Sequence, residues 1–168
     1  MIVFLTGPTG AGKTDTGWGL VSALGSIVLL DCDWFASRSP FSWENPADVA
    51  SLYRAIRSQM DFHMGEGRNT FVVTLTLEMA AIFETARAGF ADLNLPMFAF
   101  RLFAAPAIIE RRIAERGRPQ SAQEKANTIS QQATFEKLFP DSAIFQPVDT
   151  GGFESGGIAS LIVQRIGG

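Results

Sequence analysis

The sequence predicts an α/β fold in which a parallel sheet is covered by helices on both faces. Its candidate strands are short, continuous apolar runs, and a helical pattern separates most of them from the next. Strands that are apolar along their whole length are buried on both faces, which is typical of parallel sheets. The first strand is also followed by a glycine-rich loop and then a helix. We therefore expect one α/β domain that spans residues 1–168.

Composition agrees with a globular domain and narrows the functional classes. The chain has 168 residues, of which 46% are hydrophobic and 18% charged, and its formal net charge is −3. Because the arginines are spread out and only three lysines are present, we expect no extended nucleic-acid surface. One cysteine and one histidine exclude an internal disulfide and a zinc cluster. We expect a cytoplasmic protein with no membrane span.

The amino-terminal half has three candidate strands separated by helices. Gly25 follows the first helix and suits the left-handed residue that commonly ends a helix. Asn45 is a good N-cap and Pro46 suits a first helical position, so the second helix begins there, and Gly65 and Gly67 end it. In chain order we predict a strand at 2–6, a helix at 13–24, a strand at 26–30, an aromatic-rich loop at 34–43, a helix at 46–64 and a strand at 70–75.

The carboxyl-terminal half alternates in the same way. Apolar residues at helical spacing indicate a helix after the third strand. Pro106 suits the start of another helix, and Gly117 ends it. Ser121 and Glu124 have the S-x-x-E spacing of a capping box, so a new helix begins at Ser121. We predict a helix at 77–88, a strand at 97–103, helices at 106–116 and 121–138, a strand at 144–148 and a helix at 158–166.

Residues 7–14 have the sequence G-x-x-x-x-G-K-T and lie between the first strand and the first helix. The glycines let backbone NH groups turn inward, and the helix N-terminus adds partial positive charge, so this loop suits phosphate. Lys13 would reach the β- and γ-phosphates of a nucleotide, and the Thr14 hydroxyl would be a ligand of Mg²⁺. The predicted nucleotide-binding residues here are Gly7, Thr9, Gly10, Ala11, Gly12, Lys13, Thr14 and Asp15.

Two carboxylates and two arginines are candidates for binding a second substrate. Asp31 and Asp33 follow the second strand, and ligands of parallel α/β sheets lie at the carboxyl ends of the strands. Each aspartate could instead cap a turn or helix. Arg54 and Arg57 are three residues apart and share one helix face, which could meet an acceptor or solvent.

The sequence resembles the P-loop small-molecule kinases. The resemblance is carried by the phosphate loop, Asp31-x-Asp33, the arginine run from Arg111 to Arg118 and the Val148-Asp149-Thr150-Gly151 stretch, in the family's order along the whole chain. The group includes shikimate, gluconate and adenylylsulfate kinases, chloramphenicol phosphotransferases and nucleoside monophosphate kinases. The resemblance implies a three-layer P-loop NTPase fold, with a five-stranded parallel sheet in the order 2-3-1-4-5 flanked by helices. It also implies an acceptor-binding segment at about 34–68 and a lid at about 117–124.

The resemblance also implies roles for individual residues. Asp31 would help to hold Mg²⁺ through water, and Asp33 would meet the acceptor hydroxyl. Arg118, which precedes a proline, would touch the transferred phosphate, with Arg116 as a second lid arginine. The implied adenine contacts are Arg111 or Arg112, and the stretch Asp149, Thr150 and Gly151.

Two departures from the family limit the assignment. Shikimate kinase has a glycine triplet after its third strand, where this chain has residues 74–78, which argues against shikimate as the acceptor. The third strand also lacks the aspartate that supports the metal in many P-loop ATPases, so this work falls to Asp31, with Glu78 as a second candidate.

We expect an ATP- and Mg²⁺-dependent kinase that transfers the γ-phosphate to a hydroxyl of a small molecule. Lys13, Asp33, Arg116 and Arg118 are the predicted catalytic residues, and Asp33, Arg54 and Arg57 the predicted acceptor contacts. A nucleoside or nucleotide kinase is an alternative, as is a regulatory ATP-binding module that transfers nothing. The protein would act as a monomer or small homo-oligomer.

Overall fold

The computed structural model describes residues 1–37, 39–76, 80–117, 121–138, 144–153 and 155–167. Five strands in these residues form one sheet, in which every neighbouring pair is parallel. They are β1 (Ile2–Thr6), β2 (Val28–Asp31), β3 (Phe71–Leu75), β4 (Met97–Phe103) and β5 (Gln146–Asp149). Their spatial order is β2-β3-β1-β4-β5, so the predicted 2-3-1-4-5 order is confirmed.

Helices cover both faces of this sheet. The described helices are α1 (Lys13–Leu24), α2 (Cys32–Ala36), α3 (Pro46–Gly65), α4 (Phe83–Ala88), α5 (Pro106–Glu115), α6 (Ser121–Leu138) and α7 (Ser155–Gly167). One face packs against α1 and α7, and the other against α3, α4 and α6. A short 3₁₀ helix, Ala91–Leu93, precedes β4. Of the helices described, none combines the length and the apolar character that crossing a membrane requires.

The two faces of the central strand enter separate hydrophobic clusters. Ile2 and Phe4 pack on the side of α3, whereas Val3 and Leu5 pack on the side of α1 and α7. All five residues of β1 are buried. This arrangement explains why the strands are apolar throughout, since each successive side chain points into a different part of the core.

The main correction to the predicted elements is α2. We predicted a loop from residue 34, but Cys32–Ala36 forms a short helix directly after β2. The cap is Asp31, whose Oδ1 accepts a hydrogen bond of 3.1 Å from the backbone N of Asp33. Such a cap satisfies an NH group that the first turn leaves without a partner.

The remaining boundaries differ by a few residues. The strand predicted at 144–148 is Gln146–Asp149, and the last helix begins at Ser155 and not at 158. Asn45 caps α3 as predicted, since its Oδ1 accepts a 3.0 Å hydrogen bond from the backbone N of Ala47. The helix predicted at 77–88 is described in its second half, and residues 77–79 lie outside the described residues.

Candidate functional site

The phosphate loop lies at the carboxyl end of β1, and its glycines are required by its packing. Gly10 has φ +83°, and a Cβ there would lie 2.8 Å from Cγ2 of Ile109. A Cβ on Gly7 would collide with the carbonyl oxygen of Leu102. The loop is thus seated tightly against β4 and α5, where a side chain does not fit.

Lys13 is hydrogen-bonded to the phosphate loop. Its Nζ donates hydrogen bonds to the carbonyl oxygens of Gly7 (2.7 Å) and Pro8 (3.2 Å). Desolvation lowers the pKa of Lys13 from its usual range, and the negative charges of Asp33 and Asp31 raise it in part. A cation held beside loop NH groups suits a polyphosphate.

Thr14 and Asp31, the two predicted metal residues, are brought together. The Thr14 Oγ1 donates a 3.0 Å hydrogen bond to Oδ2 of Asp31, which is only 5% exposed. The ligand atoms of Asp31, Cys32 and Asp33 lie within 4.8 Å of one another. A hydroxyl and carboxylates are oxygen donors that suit Mg²⁺. Burial raises the pKa of Cys32 to about 12, so its thiol stays protonated and is a poor ligand at neutral pH.

Thr74 in β3 supports this corner of the site. Its Oγ1 accepts a 3.3 Å hydrogen bond from the backbone N of Cys32, at the start of α2. The third strand therefore contributes a hydroxyl that positions the Asp31–Asp33 turn. Glu78, the second candidate for the metal, lies outside the described residues.

Two adjoining cavities open at the phosphate loop. One of about 630 Å³ is lined by Thr9, Gly10, Gly12, Lys13, Thr14, Asp15, Asp33 and Arg116. The other, of about 540 Å³, is lined by Gly10, Gly12, Asp15, Thr16, Arg112, Glu115, Arg116, Phe153 and Ile158. Arg116 lines both. The exposed carboxylate of Asp33 and this arginine therefore share one cavity with the phosphate loop.

Arg112 fixes the loop after β5. Its Nη1 donates to Oγ1 of Thr150 (3.0 Å) and its Nη2 to the Thr150 carbonyl oxygen (2.7 Å). The backbone N of Gly151 donates to Oδ1 of Asp149 at 2.8 Å and tightens the same turn. Arg111 is instead exposed and lies 3.7 Å from Glu115. Of the two adenine candidates, Arg112 is the one at the cavity.

Phe153 lines the candidate site, although the sequence did not indicate it. It is 51% exposed and lines the same cavity as Arg112. An aromatic ring held open to solvent beside a nucleotide loop can stack on a base. The available signal was its position, two residues after the Asp149-Thr150-Gly151 stretch.

Arg54 and Arg57 line a cavity separate from the two at the phosphate loop. Its volume is about 440 Å³, and it shares no lining residue with those two cavities. Arg57 donates to Asp92 (2.6 and 3.0 Å), to Asp61 (2.9 Å) and to the Gly89 carbonyl oxygen (2.7 Å). The hydrogen bonds to Asp92 and Asp61 raise the pKa of Arg57. Its fork is already occupied by the protein, so these contacts favour a structural role over the predicted acceptor contact.

The lid is described only in part. Arg116 and Gly117 are described, whereas Arg118, a predicted catalytic residue, lies outside the described residues. On the far side of the lid, Thr128 of α6 donates a 3.2 Å hydrogen bond to the carbonyl oxygen of Thr9. The helix that follows the lid is therefore bonded to the phosphate loop.

Comparisons with known proteins agree with this geometry. A family model described as an AAA domain matches residues 2–138. The chain is similar in structure to the tunicamycin resistance protein of Deinococcus radiodurans, with a TM-score of 0.70 and 19% identity over 99% of this chain and 95% of that one. A comparison with curated protein sequences finds no match.

Two solved kinases are also similar. APS kinase of Mycobacterium tuberculosis, in complex with AMPPNP and APS, has a TM-score of 0.68 and 16% identity, covering 99% of this chain and 97% of that one. Shikimate kinase of Acinetobacter baumannii, in complex with shikimate, has a TM-score of 0.63 and 19% identity, covering 98% and 92%. At these identities the likeness shows the fold. With the family model matched over most of the sequence, the chain belongs to the AAA domain family and has the fold of the P-loop small-molecule kinases.

Proposed function

We propose that the protein is a kinase that transfers the γ-phosphate of ATP to a hydroxyl group of a small molecule, with Mg²⁺ as cofactor. One observation carries this proposal: Lys13, Asp33 and Arg116 line a single cavity at the phosphate loop. Phosphoryl transfer needs positioning and charge neutralisation more than covalent help, and this cavity offers both.

The residues divide the work by their chemistry. Lys13 and the loop NH groups would bind the β- and γ-phosphates, and Arg116 would neutralise charge that develops on the transferred group. Asp33 is exposed in that cavity, so its carboxylate can orient the acceptor hydroxyl and accept its proton. Thr14 and Asp31 would hold Mg²⁺, which would neutralise phosphate charge when bound.

The base would occupy the adjoining cavity. Arg112 holds the backbone of Thr150 in place there, and the Phe153 ring is exposed beside it. A ring face and fixed backbone groups are a common means of binding a purine. The predicted contacts at Asp149, Thr150 and Gly151 fit this placement.

A γ-phosphate transfer screen tests the proposal. Wild type is incubated with Mg²⁺ and γ-labelled ATP against a panel of sugars, hydroxy acids, antibiotics, nucleosides and nucleoside monophosphates, with ATP hydrolysis alone as the control. We expect at least one compound to receive label faster than water does. Transfer to the nucleoside members alone would support a nucleoside or nucleotide kinase, and ATP binding with no transfer to any member would support a regulatory module.

Asp33→Asn is the matched variant for this screen. It should keep ATP affinity within about threefold and lose about 10²- to 10⁴-fold in transfer rate, since the amide cannot accept the proton. Glu136→Gln, which changes an exposed carboxylate that lines neither cavity at the phosphate loop, should retain most of the rate. Normal turnover by Asp33→Asn would remove this residue from the mechanism.

A further inference from the structure

Arg101 is an arginine on an inner strand of the sheet. It lies in β4, where its register partner in β1 is Thr6, the residue directly before the phosphate loop. Met97 and Ala99 of β4 pack on the α3 side, whereas Phe100 and Leu102 pack on the α1 and α7 side. Side chains alternate along a strand, so Arg101 emerges on the α3 side. Buried residues of the predicted acceptor segment, such as Val49 and Leu52, cover this same face.

Two aromatic rings flank the Arg101 guanidinium. Its Cζ lies 5.1 Å from the ring centroid of Phe103 and 5.4 Å from that of Phe135 on α6. Both distances are within the range of cation–π contacts. These rings lie beside the guanidinium but offer its NH donors no oxygen acceptor.

Those donors find no counterpart in the described part of the chain. The Arg101 Nε is buried without a hydrogen-bond partner, although the residue as a whole keeps partial exposure. The ion pairs among described residues involve Arg57, Arg87 and Arg111 and not Arg101. The Oγ1 of Thr6, on the neighbouring strand at the same level, is likewise buried without a partner.

A buried NH donor without a partner is costly to the fold. The Nε of Arg101 is removed from water and gains no hydrogen bond from the described residues, although the residue as a whole is partly exposed. Arg112, by contrast, has its donors satisfied by Thr150. Buried polar groups in proteins are normally hydrogen-bonded. An exception near a candidate active site is expected where a ligand supplies the missing partner.

We propose that Arg101 binds an oxyanion of the acceptor, a carboxylate or a phosphate group, so that the acceptor is an anionic hydroxyl compound. The guanidinium fork matches both groups in bidentate geometry. Thr6, the register partner of Arg101, directly precedes Gly7. An anion at Arg101 would therefore lie close to the start of the phosphate loop, on the α3 side of the sheet. The proposal rests on the proposed kinase function for the identity of the bound molecule as the acceptor.

Thermal shift with matched probe pairs tests it. The probes are hydroxy acids and sugar phosphates, each paired with its neutral amide or its dephosphorylated form, all in the presence of MgADP. We expect at least one anionic probe, and not its neutral partner, to raise the melting temperature of wild type and of the control Arg165→Met, which removes an exposed arginine that lines neither cavity at the phosphate loop. In Arg101→Met the affinity for that probe should fall about 100-fold. The carboxylate and phosphate arms identify which oxyanion is bound.

The unliganded variant supplies a second readout. Because Arg101→Met removes an unpaired charge and keeps apolar contact with the two rings, its melting temperature should equal or exceed that of wild type. Arg101→Lys keeps the charge but loses the fork, and it should weaken probe binding by at least tenfold. This variant serves the test if Arg101→Met does not fold.

Three results would overturn the proposal: no anionic probe stabilises wild type, the shifts are equal in wild type and Arg101→Met, or unliganded Arg101→Met melts several degrees lower. A different set of results would contradict the proposed kinase function. A probe that binds through Arg101 but receives no γ-phosphate contradicts the kinase and leaves the anion site intact. Transfer to neutral compounds alone supports the kinase and contradicts the role of Arg101.

Discussion

The hydroxyl of Thr128 donates a 3.2 Å hydrogen bond to the carbonyl oxygen of Thr9, although 119 positions separate the two residues. Thr128 lies on α6, the helix that follows the predicted lid, and it is buried. Thr9 is part of the phosphate loop. This hydrogen bond joins the helix after the predicted lid directly to the phosphate loop.

Thr128→Val should remove this hydrogen bond with little change in side-chain volume. Losing the bond leaves the Thr9 carbonyl without its donor, and we expect a stability loss of about 1 kcal/mol and a rise in the ATP dissociation constant of about threefold to tenfold. Chemical denaturation and calorimetry measure the two effects. Thr134→Val, at an exposed position of the same helix, should change neither; equal effects of both variants would contradict the coupling.

Lys13→Ala should remove most nucleotide affinity, by about 100-fold or more, while the protein stays folded.

Nucleotide binding by wild type should also depend on pH. Since the pKa of Lys13 is lowered in the free protein from its usual value of 10.5, bound phosphates would raise it again and binding would take up a proton. Affinity should therefore fall as pH rises through the lowered pKa. Calorimetry in two buffers of different ionisation enthalpy measures the proton uptake, and no uptake in the alkaline range would contradict it.

Gly10→Ala should destabilise the fold as well as the site. The left-handed φ of +83° and the 2.8 Å approach to Ile109 together should cost about 2 kcal/mol or more. Gly152→Ala is the control, because a Cβ there meets nothing within 4 Å. Thermal unfolding compares the two, and a Gly10→Ala protein as stable as wild type would show that the loop yields easily.

Phe153→Ala should weaken ATP binding by about tenfold, the usual worth of one stacked base, with little loss of stability because the ring is 51% exposed. The loss should be smaller for triphosphate alone, which has no base. Phe62→Ala removes an exposed ring that lines none of the cavities at the phosphate loop and serves as the control. Unchanged ATP affinity in Phe153→Ala would place the base elsewhere.

Local signals predicted much of this molecule. The phosphate loop, the apolar strands, the cap at Asn45 and the start of a helix at Ser121 each depend on residues a few positions apart, and the structure has them where the sequence indicates. The pairing of Thr14 with Asp31 could also be anticipated, because Asp31 ends β2 and Thr14 lies in the helix after the loop that follows β1, so both are at the carboxyl edge of one parallel sheet.

Long-range contacts were beyond such signals. The spacing of Arg54 and Arg57 shows that they share a helix face, but the partners Gly89 and Asp92 come more than 30 positions later. In the same way, the isolation of Arg101 follows from which groups α6 and β4 bring to it. No local pattern encodes that the described residues place no carboxylate in an ion pair with Arg101.

The hydrogen bonds from Lys13 to the Gly7 and Pro8 carbonyls have a consequence for the proposed kinase cycle. A nucleotide would meet a loop that is already formed, and its phosphates would displace two carbonyl oxygens from the Lys13 ammonium. On departure of ADP the ammonium would return to the same two oxygens, so its charge would keep hydrogen-bond partners. Nucleotide exchange would then require the movement of one side chain, while the loop would keep the conformation that binds the next nucleotide.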